Sequence, residues 1–189
     1  MQTSQLITLA KKQFPDFSRE MLLGFLNELQ RIIFTQRPVN QMRRIDSTTG
    51  KDYLLTTVTG TYEYTITGAW RVTKVYDTYD EDDAYAIFFD AAPGGYARII
   101  FKEDPGTLNY YVTSYRFPNE LVTENTPLEV PDAFHLSHLF EGLCGIIEKF
   151  RSGKSERWDV FELKLLPELV KKLSDNHTSN HSFTTYRGY

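Results

Sequence analysis

The residue pattern changes from strand-like to helical after the stretch Leu108-Asn109-Tyr110-Tyr111-Val112-Thr113-Ser114-Tyr115-Arg116-Phe117-Pro118. This stretch carries the aromatic and β-branched side chains that are typical of a strand, and it ends at a proline. On its N-terminal side, back to about Asp52, apolar and polar residues alternate with a period of two. On its C-terminal side, after an extended segment, helical periodicity takes over. The stretch therefore separates a strand-rich middle of the chain from a helical C-terminal part.

Six strand-like runs, separated by turn-forming residues, lie in the strand-rich part. Ten of the twelve tyrosines lie there as well, between Tyr53 and Tyr115. The predicted strands are Tyr53–Thr59, Thr61–Thr67, Ala69–Asp77, Ala84–Asp90, Tyr96–Glu103 and Leu108–Phe117. Their regular, close spacing predicts an antiparallel meander.

Two helices are predicted before the strand-rich part. The first covers Ser4–Phe14, with apolar residues at three- and four-residue spacing, and ends at Pro15. The second runs from about Ser18 to Thr35, and Ser18 is a good N-cap because its hydroxyl can accept a hydrogen bond from the first turn. The arginines that follow it, among them Arg43 and Arg44, are typical of a solvated basic loop.

A helical hairpin is predicted at the C-terminal end. Its first helix begins near Pro131 and Asp132, which suit a helix N-terminus, and ends at Gly153. Ser155 is the predicted N-cap of a second helix, which Pro167 interrupts or kinks. Because so few residues join the two helices, they are expected to lie antiparallel.

The predicted fold is α+β: N- and C-terminal helices form a small helical bundle with an inserted antiparallel β-subdomain and an extended C-terminal tail. We assign residues 1–50 to the N-terminal helices of the helical core and residues 51–117 to the inserted β-subdomain. Residues 118–173 form the crossover and the C-terminal helical hairpin, and residues 174–189 form the tail.

Composition and charge exclude several classes of protein. The longest apolar runs, such as Ile87-Phe88-Phe89, are far shorter than the ~20 residues of a membrane-spanning helix. The N-terminal apolar stretch precedes its lysines, the reverse of a secretory signal, so we expect synthesis in the cytoplasm without export. The net charge is −4, and residues 51–130 hold 13 acidic and 6 basic side chains. That acidic middle disfavours tight DNA binding.

Candidate catalytic and metal-binding groups are few. His135 and His138, with Glu141 three residues further on, lack a convincing third zinc ligand, and we interpret them as helix-surface or interface histidines. The run Asp80-Glu81-Asp82-Asp83 lacks the ligand spacing of a calcium loop and is interpreted as a solvated acidic loop. Cys144, among apolar residues of a predicted helix, is interpreted as a buried thiol. We therefore predict no catalytic residues, no metal and no cofactor, and a protein that is not an enzyme.

The last segment, residues 174–189, is rich in Ser, Thr, Asn and His and has too few aliphatic side chains to form a core of its own. Two interpretations stay open: a frayed terminus, or a segment that orders on a partner. Its aromatic and arginine residues belong to the types that dominate binding hot spots. These candidate anchors are Phe183, Tyr186, Arg187 and Tyr189.

Three stretches carry a family resemblance. They are Ala97–Phe101 with the turn Asp104-Pro105-Gly106, then Tyr110–Pro118, then Leu128–His135 continuing through Gly142 into the helical hairpin. With these stretches, and with the order of its elements, the chain resembles the head-to-tail adaptor proteins of tailed bacteriophages, also called connector or head-completion proteins.

The resemblance implies a structural protein of the virion neck, assembled in the host cytoplasm. Such adaptors bind beneath the portal as a ring, a dodecamer, where they extend the DNA channel and provide the platform for tail attachment. The implied partners are the portal protein, tail or nozzle proteins, further copies of the chain, and genomic DNA that passes without sequence-specific binding. No membrane partner is implied.

The resemblance also gives roles to two sets of residues. Phe183, Tyr186, Arg187 and Tyr189 would bind the portal, and Asp80, Glu81, Asp82 and Asp83 would face the tail or the channel lumen. Three alternatives remain: another neck or tail ring protein, an intracellular module that binds a peptide or ligand among the tyrosines, and, as the weakest, an enzyme at His135 and His138.

Overall fold

The computed structural model describes residues 2–77, 86–90 and 95–175. The fold is α+β, as predicted. The chain divides into a helical unit, formed by residues up to Arg37 and from Pro118 onward, and a sheet unit, Pro38–Phe117. The predicted tail beyond Asp175 lies outside the described residues.

The N-terminal part of the helical unit contains α1, Thr3–Gln13, and α2, Arg19–Thr35. The predicted N-cap of α2 is confirmed, because the Ser18 hydroxyl accepts a hydrogen bond from the amide of Met21. Both helices are amphipathic, and their apolar faces are buried in the unit. The fully buried aliphatic side chains include Leu6, Ile7, Leu22, Leu26, Leu29 and Ile33.

The first C-terminal helix is built in three steps: a 3-10 turn at Asp132–Phe134, a π-helical turn at His135–Phe140, and the α-helix α3, Glu141–Ser152. Gly153 ends α3 in the left-handed conformation, with φ of 74°, and its amide donates to the carbonyl of Lys149 over 2.8 Å. A glycine tolerates this conformation best, so the predicted stop is confirmed.

The second C-terminal helix contains α4, Glu156–Val160, a π-helical turn at Phe161–Leu165, and α5, Leu166–Asp175. Ser155 caps α4 as predicted, since its hydroxyl accepts a hydrogen bond from the amide of Trp158. The predicted interruption is the π-helical turn. Pro167 has no N–H to donate to the carbonyl four residues earlier and crowds it, which favours a wider turn directly before it. No helix in the described ranges is long and apolar enough to cross a bilayer.

Two glycines in α3 allow it to approach the second C-terminal helix closely. A Cβ on Gly145 would lie 2.7 Å from the backbone nitrogen of Trp158. A Cβ on Gly142 would lie 2.7 Å from the ring of Phe161. The helices can therefore approach this closely only because both positions lack a side chain.

The sheet unit holds all six predicted strands, each within its predicted range. They are β1, Tyr53–Thr56; β2, Glu63–Thr65; β3, Ala69–Tyr76; β4, Ala86–Phe89; β5, Arg98–Phe101; and β6, Asn109–Arg116. Buried side chains from both sheets form its core, among them Leu55, Ile66, Val72, Val75, Ile99, Phe101 and Val112.

The predicted meander is wrong. The strands form two three-stranded antiparallel sheets with the orders β1-β6-β3 and β2-β5-β4. The reason lies in β6, where Tyr110 and the four residues from Val112 to Tyr115 are buried. A strand buried on both faces is stabilised most with a partner on each side, so β6 lies between β1 and β3 instead of at an edge.

The sheet unit begins at Pro38 and not at residue 51. Residues 38–50 pack on the sheet: Met42 is fully buried, and the amide of Arg44 donates to the carbonyl of Ser114 over 2.9 Å. Bridges also join Arg43 to Tyr115 and Ile45 to Asp52. The contacts to Ser114 and Tyr115 join residues about 70 positions apart, so the local sequence pattern did not reveal them.

Candidate functional site

The site residues assigned from the resemblance fall outside the described residues. This applies to Phe183, Tyr186, Arg187 and Tyr189 and to Asp80, Glu81, Asp82 and Asp83. Their roles stay predictions. The described residues contain other surfaces and clusters that bear on function.

The clearest of these is an apolar groove of about 550 Å³ between α2 and α3, within the helical unit. Its wall includes Met21, which is 45% exposed, and Phe150, which is 65% exposed. Apolar side chains that cluster at the surface in this way are typical of interaction sites. The groove is lined by Met21, Gly24, Phe25, Glu28, Ile146, Lys149 and Phe150.

Aromatic contacts hold the wall of the groove in place. The ring of Phe150 packs edge-on against Phe25, with ring centres 5.2 Å apart, and against Phe17, at 6.2 Å. Phe17 and Phe25 also contact each other, at 5.9 Å. Such edge-to-face pairs are favourable beyond the area they bury. The groove is therefore preorganised, and a partner would lose little free energy in ordering it.

Gly24 keeps the groove open. It is exposed in the middle of α2, where a glycine costs about 1 kcal/mol relative to alanine. A Cβ at this position would meet no atom within 4 Å. Packing within the unit therefore does not require glycine here, and what its missing side chain provides is open space in the groove.

A second cluster, in the sheet unit, surrounds the buried carboxylate of Asp52. Arg43 donates to both carboxylate oxygens, from Nε over 2.7 Å and from Nη2 over 2.8 Å. The hydroxyls of Thr113 and Tyr76 donate to Oδ2 over 2.6 and 3.0 Å. Desolvation alone would raise the pKa of Asp52, but the hydrogen bonds from Arg43, Thr113 and Tyr76 outweigh it and hold that pKa below its ordinary value.

A polar cavity of about 230 Å³ lies beside this carboxylate, lined also by Lys51 and Lys74. Lys74 lies over the ring of Tyr76, 5.4 Å from its centre, and Tyr76 stacks on Tyr111. Because donors occupy both oxygens of Asp52 and its pKa is lowered, the carboxylate is poorly suited to act as a general base. It instead joins the segment before β1 to β3 and β6.

Arg43 and Arg44 lie in an irregular segment, as predicted, and the Arg43 side chain is 38% exposed, but both side chains make specific contacts with the sheet. Arg43 is paired with a carboxylate whose side chain is only 1% exposed. The guanidinium of Arg44 lies 4.4 Å from the centre of the Tyr53 ring, and its Nη1 donates to the carbonyl of Thr67. Both arginines therefore hold residues 38–50 on the sheet.

The interpretation of His135 and His138 as helix-surface or interface histidines is wrong, since both are buried within the helical unit. His135 Nε2 donates to the carbonyl of Val130 over 2.6 Å, and His138 Nδ1 shares a hydrogen bond with the hydroxyl of Ser137. Burial lowers the pKa of His138, which favours its neutral form. Within the described part of the chain, no group of three His, Cys, Asp or Glu side chains is arranged to hold a metal ion.

Cys144 is fully buried in α3, in agreement with its interpretation as a buried thiol. Its Sγ donates to the side-chain oxygen of Gln13 over 3.3 Å. Burial raises the pKa of the thiol to about 12, so almost none of it is thiolate at neutral pH.

Comparison with known proteins adds no relative. No protein-family model matches the sequence, and a search of curated proteins finds no significant match.

Sequence reasoning missed the groove because its residues look like core. Met21 and Phe25 belong to the apolar stripe of α2, and Phe150 belongs to that of α3. The feature of the sequence that could have indicated the groove is the width of these apolar stripes. On α2, Met21 and Leu22 are both apolar although only Leu22 is buried, so the stripe is wider than the buried face.

Proposed function

We propose that this chain is a structural virion protein, a head-to-tail adaptor that forms a ring beneath the portal of a tailed bacteriophage. In this role it extends the DNA channel and provides the platform for tail attachment. The observation that carries the proposal is the order of the units. Both ends of the chain contribute to the helical unit, and the sheet unit is inserted between Arg37 and Pro118, as in the resemblance described above.

The resembling stretches support the proposal because their turn and proline positions fall at the ends of elements. Gly106, with φ of 64°, lies in the turn between β5 and β6, and the hydroxyl of Tyr110 donates to the carbonyl of Pro105. Pro118 follows β6 by two residues, and Pro131 directly precedes the 3-10 turn that starts the C-terminal helices.

The charge distribution also suits a channel through which DNA slides. A protein that held DNA tightly would need many lysine and arginine contacts to phosphate. Residues 51–130 instead carry an excess of acidic side chains. In the proposed ring, Asp80, Glu81, Asp82 and Asp83 would face the lumen or the tail, where they would repel phosphate and limit sticking.

Portal binding is assigned to the C-terminal residues Phe183, Tyr186, Arg187 and Tyr189. A docking segment of this composition gains most of its free energy from a few aromatic and arginine anchors. The further partners of the proposed ring are other copies of the chain and a tail or nozzle protein.

The test is the copy number of this chain relative to the portal protein, measured by quantitative peptide mass spectrometry of purified virus particles. A ratio near one is expected, because an adaptor dodecamer would match the portal subunit for subunit. A clearly different ratio would place the chain in another ring of the neck or tail. Its absence from particles would contradict the proposal and favour an intracellular binding module.

A further inference from the structure

We propose that the groove between α2 and α3 holds an exposed aliphatic stripe of a second copy of this chain, and that this contact joins neighbouring subunits. The stripe consists of Val160, at the end of α4, and Leu163, in the π-helical turn that follows. The idea that repeated copies of this contact close a ring rests on the proposed function. The contact itself rests on the two surfaces described here.

The stripe faces away from its own helical unit. Trp158 and Phe161 point into the unit and are 5% and 0% exposed, whereas Val160 and Leu163 are 46% and 76% exposed. A leucine exposed to this extent gains free energy when an apolar partner covers it. The stripe therefore has the chemistry that the apolar groove requires of an occupant.

The groove and the stripe are different surfaces of one chain, since neither Val160 nor Leu163 lines the groove. A contact between two different surfaces is head-to-tail, and each added subunit presents a new free groove or a new free stripe. Such a contact closes into a ring when its rotation divides the full circle. A contact of a surface with itself would stop at dimers.

Charges on both surfaces match in one docking direction. Exposed Asp159 and Lys164 flank the stripe, and the groove is lined by Lys149 on α3 and Glu28 on α2. One direction brings Asp159 toward Lys149 and Lys164 toward Glu28. The opposite direction brings like charges together, which is unfavourable. These four charges therefore favour one orientation of the second copy.

Trapping the contact with a cross-linker tests it even where association is weak. Gly24→Cys places a thiol in the groove, and Leu163→Cys places one on the stripe. Cys144 does not interfere, because it is buried and protonated. The two full-length variants, mixed in equal amounts and treated with a short bismaleimide, should give at least about tenfold more dimer than either variant alone, because the contact raises the local thiol concentration.

Val122→Cys is the matched control for the stripe, since Val122 is 77% exposed in the same helical unit but belongs to neither surface. Equal dimer yields from Gly24→Cys with Leu163→Cys and from Gly24→Cys with Val122→Cys would overturn the proposal. In assembled particles, cross-linking of the Gly24→Cys chain to the portal or a tail protein, and not to Leu163→Cys, would overturn it as well and assign the groove to that partner.

Blocking variants test the head-to-tail character. Gly24→Glu puts a carboxylate into the groove, and Leu163→Asp puts one on the stripe. Treated with an amine-reactive cross-linker, the native chain should give a ladder of higher assemblies that each single variant loses, with Val122→Asp as the unaffected control. A mixture of the two should stop at dimers, because only one intact groove and one intact stripe can meet. Dimers from Leu163→Asp alone would mean that grooves contact each other, and full ladders from it would mean that the stripe is not needed; either result contradicts the proposal.

The failures of this inference and of the proposed function are distinguishable. A copy-number ratio near one without the groove-to-stripe cross-link would leave the adaptor in place and overturn the contact. The cross-link in a chain that is absent from particles would leave the contact in place and overturn the adaptor.

Discussion

At the scale of single residues, Asp52 is a buried carboxylate whose hydrogen bonds connect several parts of the sheet unit. Its carboxylate is buried and accepts four hydrogen bonds from three side chains. Removing one partner from a buried charge pair leaves an uncompensated polar group, which costs far more than the loss of an exposed pair. Breaking a buried pair in this way costs about 3–5 kcal/mol. Because Arg43 remains partly exposed to water, the loss of stability expected at Asp52 lies near the lower of these values.

We predict that Asp52→Asn lowers the free energy of unfolding at pH 7 by about 3 kcal/mol. The matched control is Glu63→Gln, which removes the exposed ion pair with Arg98 on the neighbouring sheet and should cost about 0–1 kcal/mol. Urea denaturation followed by circular dichroism measures both. Equal losses in the two variants would show that burial of Asp52 does not decide its contribution.

The same carboxylate gives the native chain a defined acid sensitivity. The pKa of Asp52 is lowered in the folded state, so its contribution is fully present above the ordinary value of 3.8 and is lost as the pH falls through the folded pKa. Urea denaturation between pH 6 and pH 3 should therefore give a flatter pH dependence for Asp52→Asn than for the native chain below about pH 4.

At the scale of elements, two glycines on neighbouring helices are predicted to respond in opposite directions to the same change. Gly145→Ala places a Cβ 2.7 Å from the backbone of Trp158, so α3 and α4 must move apart at an expected cost of about 1–3 kcal/mol. Gly24→Ala places a Cβ in open space and should gain about 1 kcal/mol from helix propensity. Urea unfolding measures both, and stabilisation by Gly145→Ala would contradict the close packing of the hairpin.

Elements were predictable from the sequence where local chemistry determines them. Ser18 and Ser155 cap their helices, and Gly153 ends α3, because each interaction involves residues within one helical turn. Each strand was likewise found within its predicted range. Strand order was not predictable, because pairing β6 with β1 and β3 depends on which strand is buried on both faces.

The candidate site was less predictable than the elements. The partnership of Arg43 with Asp52 joins two segments that each look polar and exposed in sequence. The groove is made of side chains that periodicity assigns to the core, and only packing decides that Phe150 stays 65% exposed. Burial is a property of the assembled unit, so neither feature could be read from spacing alone.

At the scale of the whole molecule, the chain leaves the helical unit after Arg37 and returns to it at Pro118. The helical unit is therefore completed only when both ends of the chain are present. Its last described element, α5, is anchored by the buried side chains of Leu169, Val170 and Leu173. The helix extends to Asp175, so the C-terminal residues proposed for portal binding follow a fixed point of the unit.

A chain ending at Asp175 is therefore expected to fold like the full chain and to lose portal binding. The truncation keeps the whole of α5, including the hydrogen bond from the Ser174 hydroxyl to the carbonyl of Val170, so the free energy of unfolding should change little. It removes Phe183, Tyr186, Arg187 and Tyr189, the proposed anchors. Urea unfolding and co-purification with the portal protein of the particle that contains this chain measure the two effects.

A full-length variant with Phe183, Tyr186 and Tyr189 changed to alanine is the control for length, and it should lose portal binding as the truncated chain does. Binding by the alanine variant but not by the truncated chain would mean that the segment acts through its backbone or through Arg187. Undiminished binding by the truncated chain would move the portal contact to another surface, of which the groove between α2 and α3 is the first to examine. Gly24→Glu distinguishes portal binding by the groove from portal binding by the C-terminal residues. If the groove binds the portal, this variant abolishes binding although residues 176–189 are intact.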